Sequence, residues 1–175
     1  MQRWYFGPVH TAMLDLIDRT QPMEPARNVL DIGCGTGRLL RAVAARWPAA
    51  RLVGADPAER MISEAARLNP NASFHLARAE ELPIPGLSMD LVLSSLSFHH
   101  WADQSQGLRE IRRVLRPGGV FALADHTFWL GRFVNERVRN RRTLHALMDA
   151  AGLAVRSYRR MRLRFVLITV ASRQG

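Results

Sequence analysis

Short hydrophobic runs alternate with amphipathic segments along most of the chain. The runs that predict buried strands are Asn28–Ile32, Arg51–Ala55, Ser73–Ala77, Met89–Leu96 and Val120–Ala124. Apolar residues at helical spacing predict helices between them, at about Thr36–Arg46, Ala58–Leu68 and Gln104–Leu115, and Pro117-Gly118-Gly119 is expected to end the last of these. Strands that alternate with helices in this way predict an α/β fold with a mostly parallel sheet.

The two ends of the chain add one helix in front of this pattern and a helix with two strands behind it. Val9–Arg19 is the predicted N-terminal helix. A second helix, at about Thr143–Ala151, precedes strands at about Ala154–Arg159 and Arg162–Ala171. Because a parallel crossover needs a dozen residues or more, these last two strands are expected to pair as an antiparallel hairpin.

Composition places the chain among ordinary globular proteins. Its 175 residues are enough for one domain, and 47% are hydrophobic and 23% charged. No apolar run reaches the roughly 18 residues that a membrane-spanning helix needs, and Met1–His10 lacks the pattern of a secretory signal peptide. The single cysteine, Cys34, has no partner for an internal disulfide. These features predict a cytoplasmic protein.

The basic residues leave two interpretations open. The net charge is +10, and all 25 basic residues are arginine. A genome rich in G and C favours arginine codons, which explains the missing lysine but not the excess of base over acid. A surface that binds phosphates or nucleic acid would explain the excess.

A glycine-rich loop connects the first predicted strand to the helix behind it. Gly33, Gly35 and Gly37 alternate there, so the backbone can turn tightly and approach a ligand. The dinucleotide fingerprint needs its third glycine one position later, where this chain has Arg38. Asp31, at the end of the strand, would repel a pyrophosphate and attract a cationic group. The loop therefore favours a ligand with a positive tail over a nicotinamide dinucleotide.

A second acidic residue indicates a ribose. Asp56 ends the second predicted strand, 19 residues after Gly37, which is the spacing of the carboxylate that binds ribose hydroxyls in nucleotide-binding βαβ units. Two carboxylate oxygens suit two vicinal hydroxyls. A nucleoside with a free ribose and a cationic tail fits both carboxylates, and S-adenosyl-L-methionine is such a molecule.

Five segments in order resemble the class I S-adenosylmethionine-dependent methyltransferases, and the ubiquinone/menaquinone-biosynthesis type in particular. They are Val29–Gly37, Val53–Pro57, Ala79–Pro83, Met89–Trp101 and Leu115–Gly119. The resemblance covers about residues 25–171. It implies a Rossmann-like, seven-stranded sheet with an antiparallel last strand and helices on both faces. It also implies a single domain over 1–175, with a helical cover at 1–25 and a cofactor-binding core at 26–175.

The resemblance also assigns the cofactor to residues of this chain. The methionine portion is assigned to Asp31, Gly33 and Gly35, with Cys34 and Gly37 in the same loop. The nucleoside is assigned to Asp56, Pro57, Met61, Ala79 and Glu80, and the methyl end to Ser94 and Ser95. One position departs from the family pattern, since Arg78 stands where an aspartate usually accepts from the adenine amino group. Glu80 or a backbone carbonyl is the expected substitute. No metal site is predicted.

Three histidines are candidates for catalysis. His99 and His100 follow the fourth predicted strand and His126 follows the fifth, at the carboxyl edge where ligands bind in open α/β sheets. Each could deprotonate a methyl acceptor near neutral pH. The alternatives are that His99 packs beneath the cofactor and that His126 is an ordinary loop residue. Trp101 and Trp129 either line an aromatic pocket or pack.

The acceptor stays open at this level. The segments that usually cover the acceptor site are short, at 1–25 and about His126–Arg142, which predicts an open site. An open site suits a large acceptor, a partner chain such as a second copy that completes the pocket, or a lid formed by Met1–Thr20. Arginines follow the fifth strand and recur along the closing hairpin: Arg132, Arg137, Arg139, Arg141, Arg142, Arg160, Arg162 and Arg164. They are either a solvated surface or a nucleic-acid surface. The interpretations are therefore a small-molecule methyltransferase, a nucleic-acid or protein methyltransferase, and a cofactor-binding fold without catalysis.

Overall fold

A computed structural model describes residues 2–21, 28–126, 141–161 and 166–174, and the side chains from residue 6 onward. Its helices are α1 (Gln2–Thr20), α2 (Arg38–Arg46), α3 (Glu59–Leu68), α4 (Gln104–Val114) and α5 (Arg141–Ala150). Its strands are β1 (Asn28–Ile32), β2 (Arg51–Asp56), β3 (Ala72–Leu76), β4 (Met89–Ser95), β5 (Leu115–His126), β6 (Leu153–Met161) and β7 (Val166–Arg173). A single 3-10 turn, Phe98–His100, follows β4. None of the described helices is long and apolar enough to cross a membrane.

The described strands form one seven-stranded sheet in the order β3-β2-β1-β4-β5-β7-β6. The pairs from β3 to β5 are parallel, whereas β7 is antiparallel to both β5 and β6. The predicted α/β class, the antiparallel last strand and the closing hairpin are therefore confirmed. This order also makes β6 an edge strand among the described residues.

The sheet buries an apolar cluster on each face. On one face, α4 and α5 pack against the sheet through residues such as Leu108, Ile111 and Met148. On the other face, α1 and α2 pack through residues such as Met13 and Leu40. Because successive strand residues point to opposite faces, each central strand contributes to both clusters. Met89–Ser95 is buried on both sides, as its near-continuous apolar sequence predicts.

Two predicted boundaries were wrong. Helix α1 begins at Gln2 rather than Val9 and contains Pro8, since an internal proline removes a single backbone donor and the helix continues past it. Strand β5 begins at Leu115 rather than Val120, because the Pro117–Gly119 segment forms an irregularity in the strand. There Leu115 pairs with Met89 and Val120 already pairs with Leu91.

Candidate functional site

The glycine loop is held tightly against β2. The N–H groups of Gly33 and Cys34 both donate to the Ala55 carbonyl, at 2.8 and 3.1 Å. Gly33, Gly35 and Gly37 have φ angles of +69°, +52° and +71°, which explains the glycine at each alternate position. The loop thus follows directly from β1 and turns at its carboxyl end.

Space beside the loop differs from glycine to glycine. A Cβ on Gly33 would lie 2.3 Å from the Ser97 Cβ, so this glycine is required by packing. A Cβ on Gly35 would meet no protein atom within 4 Å. The loop is therefore closely packed at Gly33 and open at Gly35, where a ligand can approach the backbone.

Asp56 fastens the loop to the beginning of α3. One carboxylate oxygen accepts the Gly35 N–H at 2.9 Å, and the other accepts the Ala58 N–H at 2.9 Å. Since each carboxylate oxygen can accept more than one hydrogen bond, these contacts leave acceptor capacity for hydroxyl groups. Asp56 therefore has a structural role in the loop that is compatible with its predicted role at a ribose.

Asp31 is buried without a full set of partners. Its side chain is 2% exposed, and its Oδ1 atom has no hydrogen-bond partner among the described residues. Burial, and then the charge of Asp56, raise the pKa of Asp31 well above its ordinary value. A carboxylate in this state is costly unless a donor or a cation meets it, so the position suits a cationic ligand group.

Cys34 and Gly37 are engaged inside the fold. The Cys34 thiol points at Gly54, where an added Cβ would lie 2.8 Å from its sulfur, and burial raises the pKa of the thiol. The Cys34 carbonyl accepts the Gly37 N–H at 2.9 Å. Beside Gly37, the Asn69 amide fills the place of a side chain. A cofactor contact by either residue stays a prediction.

The segment assigned to adenine is attached to α4. A Glu80 carboxylate oxygen accepts the Asp103 N–H at 2.9 Å, and the Glu80 carbonyl accepts from the Gln106 side chain at 3.3 Å. Ala79 is buried, whereas Pro57 and Met61 are exposed. Glu80 therefore supports the start of α4, which the sequence did not indicate, and its contact with adenine stays a prediction.

The end of β4 is tied to the end of β1 by a serine that the sequence analysis missed. The Ser97 hydroxyl donates to the Ile32 carbonyl at 3.0 Å and lies 2.8 Å from the Ser94 hydroxyl. Ser95 is adjacent, and its Oγ atom has no partner among the described residues. Ser94 is fully buried, and the Ser95 hydroxyl oxygen is also closed to solvent, so a ligand contact by either serine stays a prediction.

Asp125 joins the histidines at the carboxyl edge of the sheet. Its Oδ1 atom accepts the Nδ1–H of His99 at 2.7 Å and the backbone N–H of His126 at 2.7 Å. Its Oδ2 atom accepts the backbone N–H of His99 at 2.9 Å. Asp125 is 6% exposed, so this carboxylate is buried with three donors around it. Sequence analysis missed it, although an acidic residue at the end of a buried strand and next to a histidine was a usable signal.

The hydrogen bond to Asp125 raises the pKa of His99. The His99 ring centroid lies 4.0 Å from that of His100 and 5.8 Å from that of His126, so the three predicted histidines do come together. Burial, and then the charge of His99, lower the pKa of His100. His99 is thus the histidine with a fixed orientation, since its Nδ1–H is committed to a carboxylate and no described residue bonds its Nε2 atom.

The remaining candidates are either packed within the fold or lie outside the described residues. Trp101 is buried against Phe98, with ring centroids 4.8 Å apart, and lies over Gly107, which favours packing over an acceptor pocket. Helix α1 packs on the sheet through Met13 and Ile17, which is consistent with a cover. The following lie outside the described residues: Trp129, Arg132, Arg137, Arg139, Arg162 and Arg164.

Comparisons with known proteins agree with this geometry. Residues 30–123 match the family model of a methyltransferase domain. A probable S-adenosylmethionine-dependent methyltransferase of Mycolicibacterium smegmatis is 34% identical over 137 residues, which are 74% of this chain and 52% of that protein. A demethylmenaquinone methyltransferase of Chlorobaculum parvum is 35% identical over 91 residues, 52% of this chain and 37% of that protein. The chain spans between about a third and about half of the length of the curated relatives it matches.

Solved structures share the fold. An S-adenosylmethionine-dependent methyltransferase from Mesorhizobium loti superposes with a TM-score of 0.76 at 21% identity, and the match covers 99% of this chain and 98% of that one. At this identity the likeness concerns the fold alone. It agrees with the sheet order and the antiparallel last strand described above.

Proposed function

Because the chain belongs to the class I S-adenosylmethionine-dependent methyltransferases, we propose that it transfers a methyl group from this cofactor to a small-molecule acceptor. The observation that carries the proposal is the buried Asp31 carboxylate, one oxygen of which has no hydrogen-bond partner among the described residues. A cationic ligand at this place would remove the cost of the buried charge.

The residues present fit the cofactor from its amino-acid end to its ribose. Asp31 would accept from the positive amino group, and the open side of Gly35 leaves room for the chain beside it. The N–H groups of Gly33 and Gly35 already donate within the fold, so these glycines would contribute space and carbonyl contacts rather than donors. Asp56 would accept from the ribose hydroxyls with its remaining lone pairs.

The bound cofactor would supply a methyl group on a positively charged sulfur, a good leaving group, so the protein needs mainly to position the acceptor. We assign proton removal from the acceptor to His99. Asp125 holds the His99 Nδ1–H, which leaves the Nε2 atom unprotonated in the neutral ring and able to take a proton. Asp125 acts on this step through His99 and is a positioning residue. His100 and His126 lie against the same ring and would shape the acceptor site.

An acceptor that needs such a base carries a hydroxyl or a protonated amine rather than an already ionised nucleophile. His99, the proposed base, lies at the carboxyl edge of the sheet, close to the end of β4. The methyl end of the cofactor is assigned to the same place through Ser94 and Ser95. The acceptor class that follows is a small hydroxylated or amino-bearing metabolite.

Calorimetric titration with S-adenosylhomocysteine tests the cofactor proposal. We expect binding well below the millimolar range, and at least a tenfold loss, about 1.4 kcal/mol, in Asp56→Ala. Asp56→Asn, which keeps one acceptor oxygen, should lose less, and Glu59→Ala, an exposed carboxylate on the first turn of α3, should bind like the parent. Circular dichroism checks that each variant is folded. Millimolar or weaker binding by the parent, or unchanged binding by a folded Asp56→Ala, would overturn the proposal.

A further inference from the structure

A row of paired residues connects the histidine site to the edge of the sheet. Asp125 on β5 pairs with Leu167 on β7, and Leu167 pairs with Arg160 on β6. Paired residues on neighbouring strands point to the same face, and Leu167 belongs to the apolar cluster on the α4 and α5 face. Arg160 therefore projects on the same face as Asp125 and His99. Two strand spacings separate the Asp125 and Arg160 backbones by about 10 Å.

Two contacts of the Tyr158 ring place a second arginine on the same face of the sheet as Arg160. Tyr158, two residues before Arg160 and on the same face, is 48% exposed and contacts α5. The Arg141 guanidinium carbon lies 4.4 Å from the centre of the Tyr158 ring, and the His145 ring centroid lies 5.6 Å from it. Arg141 begins α5 over Tyr158, and Arg160 lies next to the last residue of β6 in register with Asp125, so both residues lie near the carboxyl edge of the sheet.

Neither arginine is neutralised by a neighbour in the part of the chain that the structure describes. Both Arg141 and Arg160 are exposed, and the carboxylates of the described residues form no ion pair with either. By contrast, Arg46, Arg67 and Arg113 each pair with an acidic side chain. The charge at this edge is therefore available to a ligand.

We propose that Arg141 and Arg160 form an anion-binding shelf, which holds a carboxylate or phosphate group of the methyl acceptor beside the strand that lies two strand spacings from Asp125. The proposal rests on the proposed function and names its acceptor as an anionic small molecule. A guanidinium that lies flat on an aromatic ring keeps its N–H edges free, and these edges match two oxygens of a carboxylate or phosphate. Tyr158 would thus hold Arg141 in an orientation suited to such a contact.

The span also limits the size of the acceptor. A reacting hydroxyl or amine at His99 and an anionic group at the shelf would be separated by about the width of two strands. This distance suits a metabolite with its anionic group at the end opposite the methylated atom. A polyanion such as RNA could use the same arginines, but it would extend beyond them to further basic groups.

The test uses the full chain, labelled with ¹⁵N and saturated with S-adenosylhomocysteine, and inorganic phosphate as the probe. NMR spectra should show phosphate-dependent shifts of the Arg141 and Arg160 side-chain signals, with an apparent Kd on the order of millimolar. The double variant Arg141→Gln/Arg160→Gln should bind phosphate at least about tenfold more weakly. Arg51→Gln, which changes an exposed arginine at the start of β2, far from β6 in the sheet order, is the matched control and should behave like the parent.

Each other outcome overturns the proposal. If phosphate shifts neither arginine signal, the two arginines are only part of a solvated surface at the sheet edge. Phosphate that competes with S-adenosylhomocysteine would place the anion in the cofactor site. A short single-stranded RNA that binds these arginines with steep salt dependence, where phosphate does not, would replace the small acceptor with a nucleic acid. The cofactor titration is read separately, so a parent that fails to bind S-adenosylhomocysteine refutes the proposed function rather than the shelf.

Discussion

Replacing Asp125 by asparagine separates the two things that this carboxylate does for His99. The carboxylate accepts three N–H groups, from the His99 ring, the His99 backbone and the His126 backbone. Asparagine has the same shape but offers an oxygen on one side and an NH₂ donor on the other. The substitution therefore removes the charge and, at the same time, sets a donor against at least one of the three donors.

The two orientations of the new amide have different consequences. If its oxygen occupies the Oδ1 position, it still accepts from the ring, but its NH₂ faces the His99 backbone N–H. If the amide is flipped, its NH₂ faces the His126 backbone N–H and favours the ring tautomer with the proton on Nε2, which cannot act as a base. Either way one of the two backbone donors that the carboxylate accepts is left unpaired, at a cost of up to about 1–3 kcal/mol of folding free energy.

The pH dependence of this loss has a definite sign. The hydrogen bond with Asp125 raises the pKa of His99 in the folded protein above its ordinary value of 6.5. The corresponding stabilisation is fully present below pH 6.5 and is lost as the pH rises through the folded pKa. The difference in unfolding free energy between the parent and Asp125→Asn should therefore be larger below pH 6.5 than at a pH above the folded pKa of His99, where the unpaired donor alone should remain.

Two measurements check this reasoning. NMR titration of the histidine rings should show a lower pKa for His99 in Asp125→Asn, and ring ¹⁵N shifts should report its tautomer. Urea unfolding at several pH values gives the free-energy difference. Asp149→Asn, an exposed carboxylate on α5, makes the same charge change and should alter neither. A His99 pKa that is the same in parent and Asp125→Asn would refute the role assigned to Asp125.

Three further predictions concern the cofactor loop and its cover. Gly33→Ala and Gly35→Ala both strain a backbone of positive φ, and Gly33→Ala should lower the melting temperature further, because its Cβ would also lie 2.3 Å from the Ser97 Cβ. Gly35→Ala should fold but lose S-adenosylhomocysteine binding in a calorimetric titration, because its Cβ fills open space. Asp31→Asn should abolish that binding yet raise the melting temperature of the ligand-free protein at pH 7, by roughly 2–4 °C for each kcal/mol gained; an unchanged or lower value would contradict a costly buried charge. Burial and a nearby arginine lower the pKa of His10 to about 4, so stability should fall by about 3 kcal/mol as the pH drops from 6.5 through 4. His10→Phe should remove this part of the loss in urea unfolding followed against pH.

Most of the fold could be predicted from the sequence because buried strands appear in it as apolar runs. The strands next to the glycine loop are short apolar runs, and their order along the chain, with helices between them, restricts the sheet to few topologies. Where the prediction failed, the deciding interaction was not local. The early start of β5 depends on Leu115 pairing with Met89, so a Pro-Gly-Gly segment that ends a helix also enters a strand.

The same distinction between local and long-range contacts applies to the site residues. Asp31, Asp56 and the glycine spacing could be predicted because they belong to one strand-loop-helix unit and the strand behind it. Asp125 could have been noted as an acidic residue beside a histidine at the end of a buried strand, but its contact with His99 could not be predicted, since that contact joins residues 26 apart in sequence and is set by the register of β4 against β5. The relation of Arg160 to Asp125 needs a further strand, β7, which comes last in the chain and inserts between β5 and β6.

Two buried carboxylates near the ends of β1 and β5 show why contacts, rather than burial, decide the role of a charged residue. Asp31 and Asp125 are 2% and 6% exposed, so burial alone predicts the same behaviour for both. Asp125 has three donors, while Asp31 keeps an oxygen without any among the described residues. Substitution by asparagine should therefore have opposite effects on the ligand-free protein, destabilising it at Asp125 and stabilising it at Asp31. A protein that keeps an unsatisfied buried charge gives up stability, and under the proposed function a cationic ligand at Asp31 would supply the reason for keeping it.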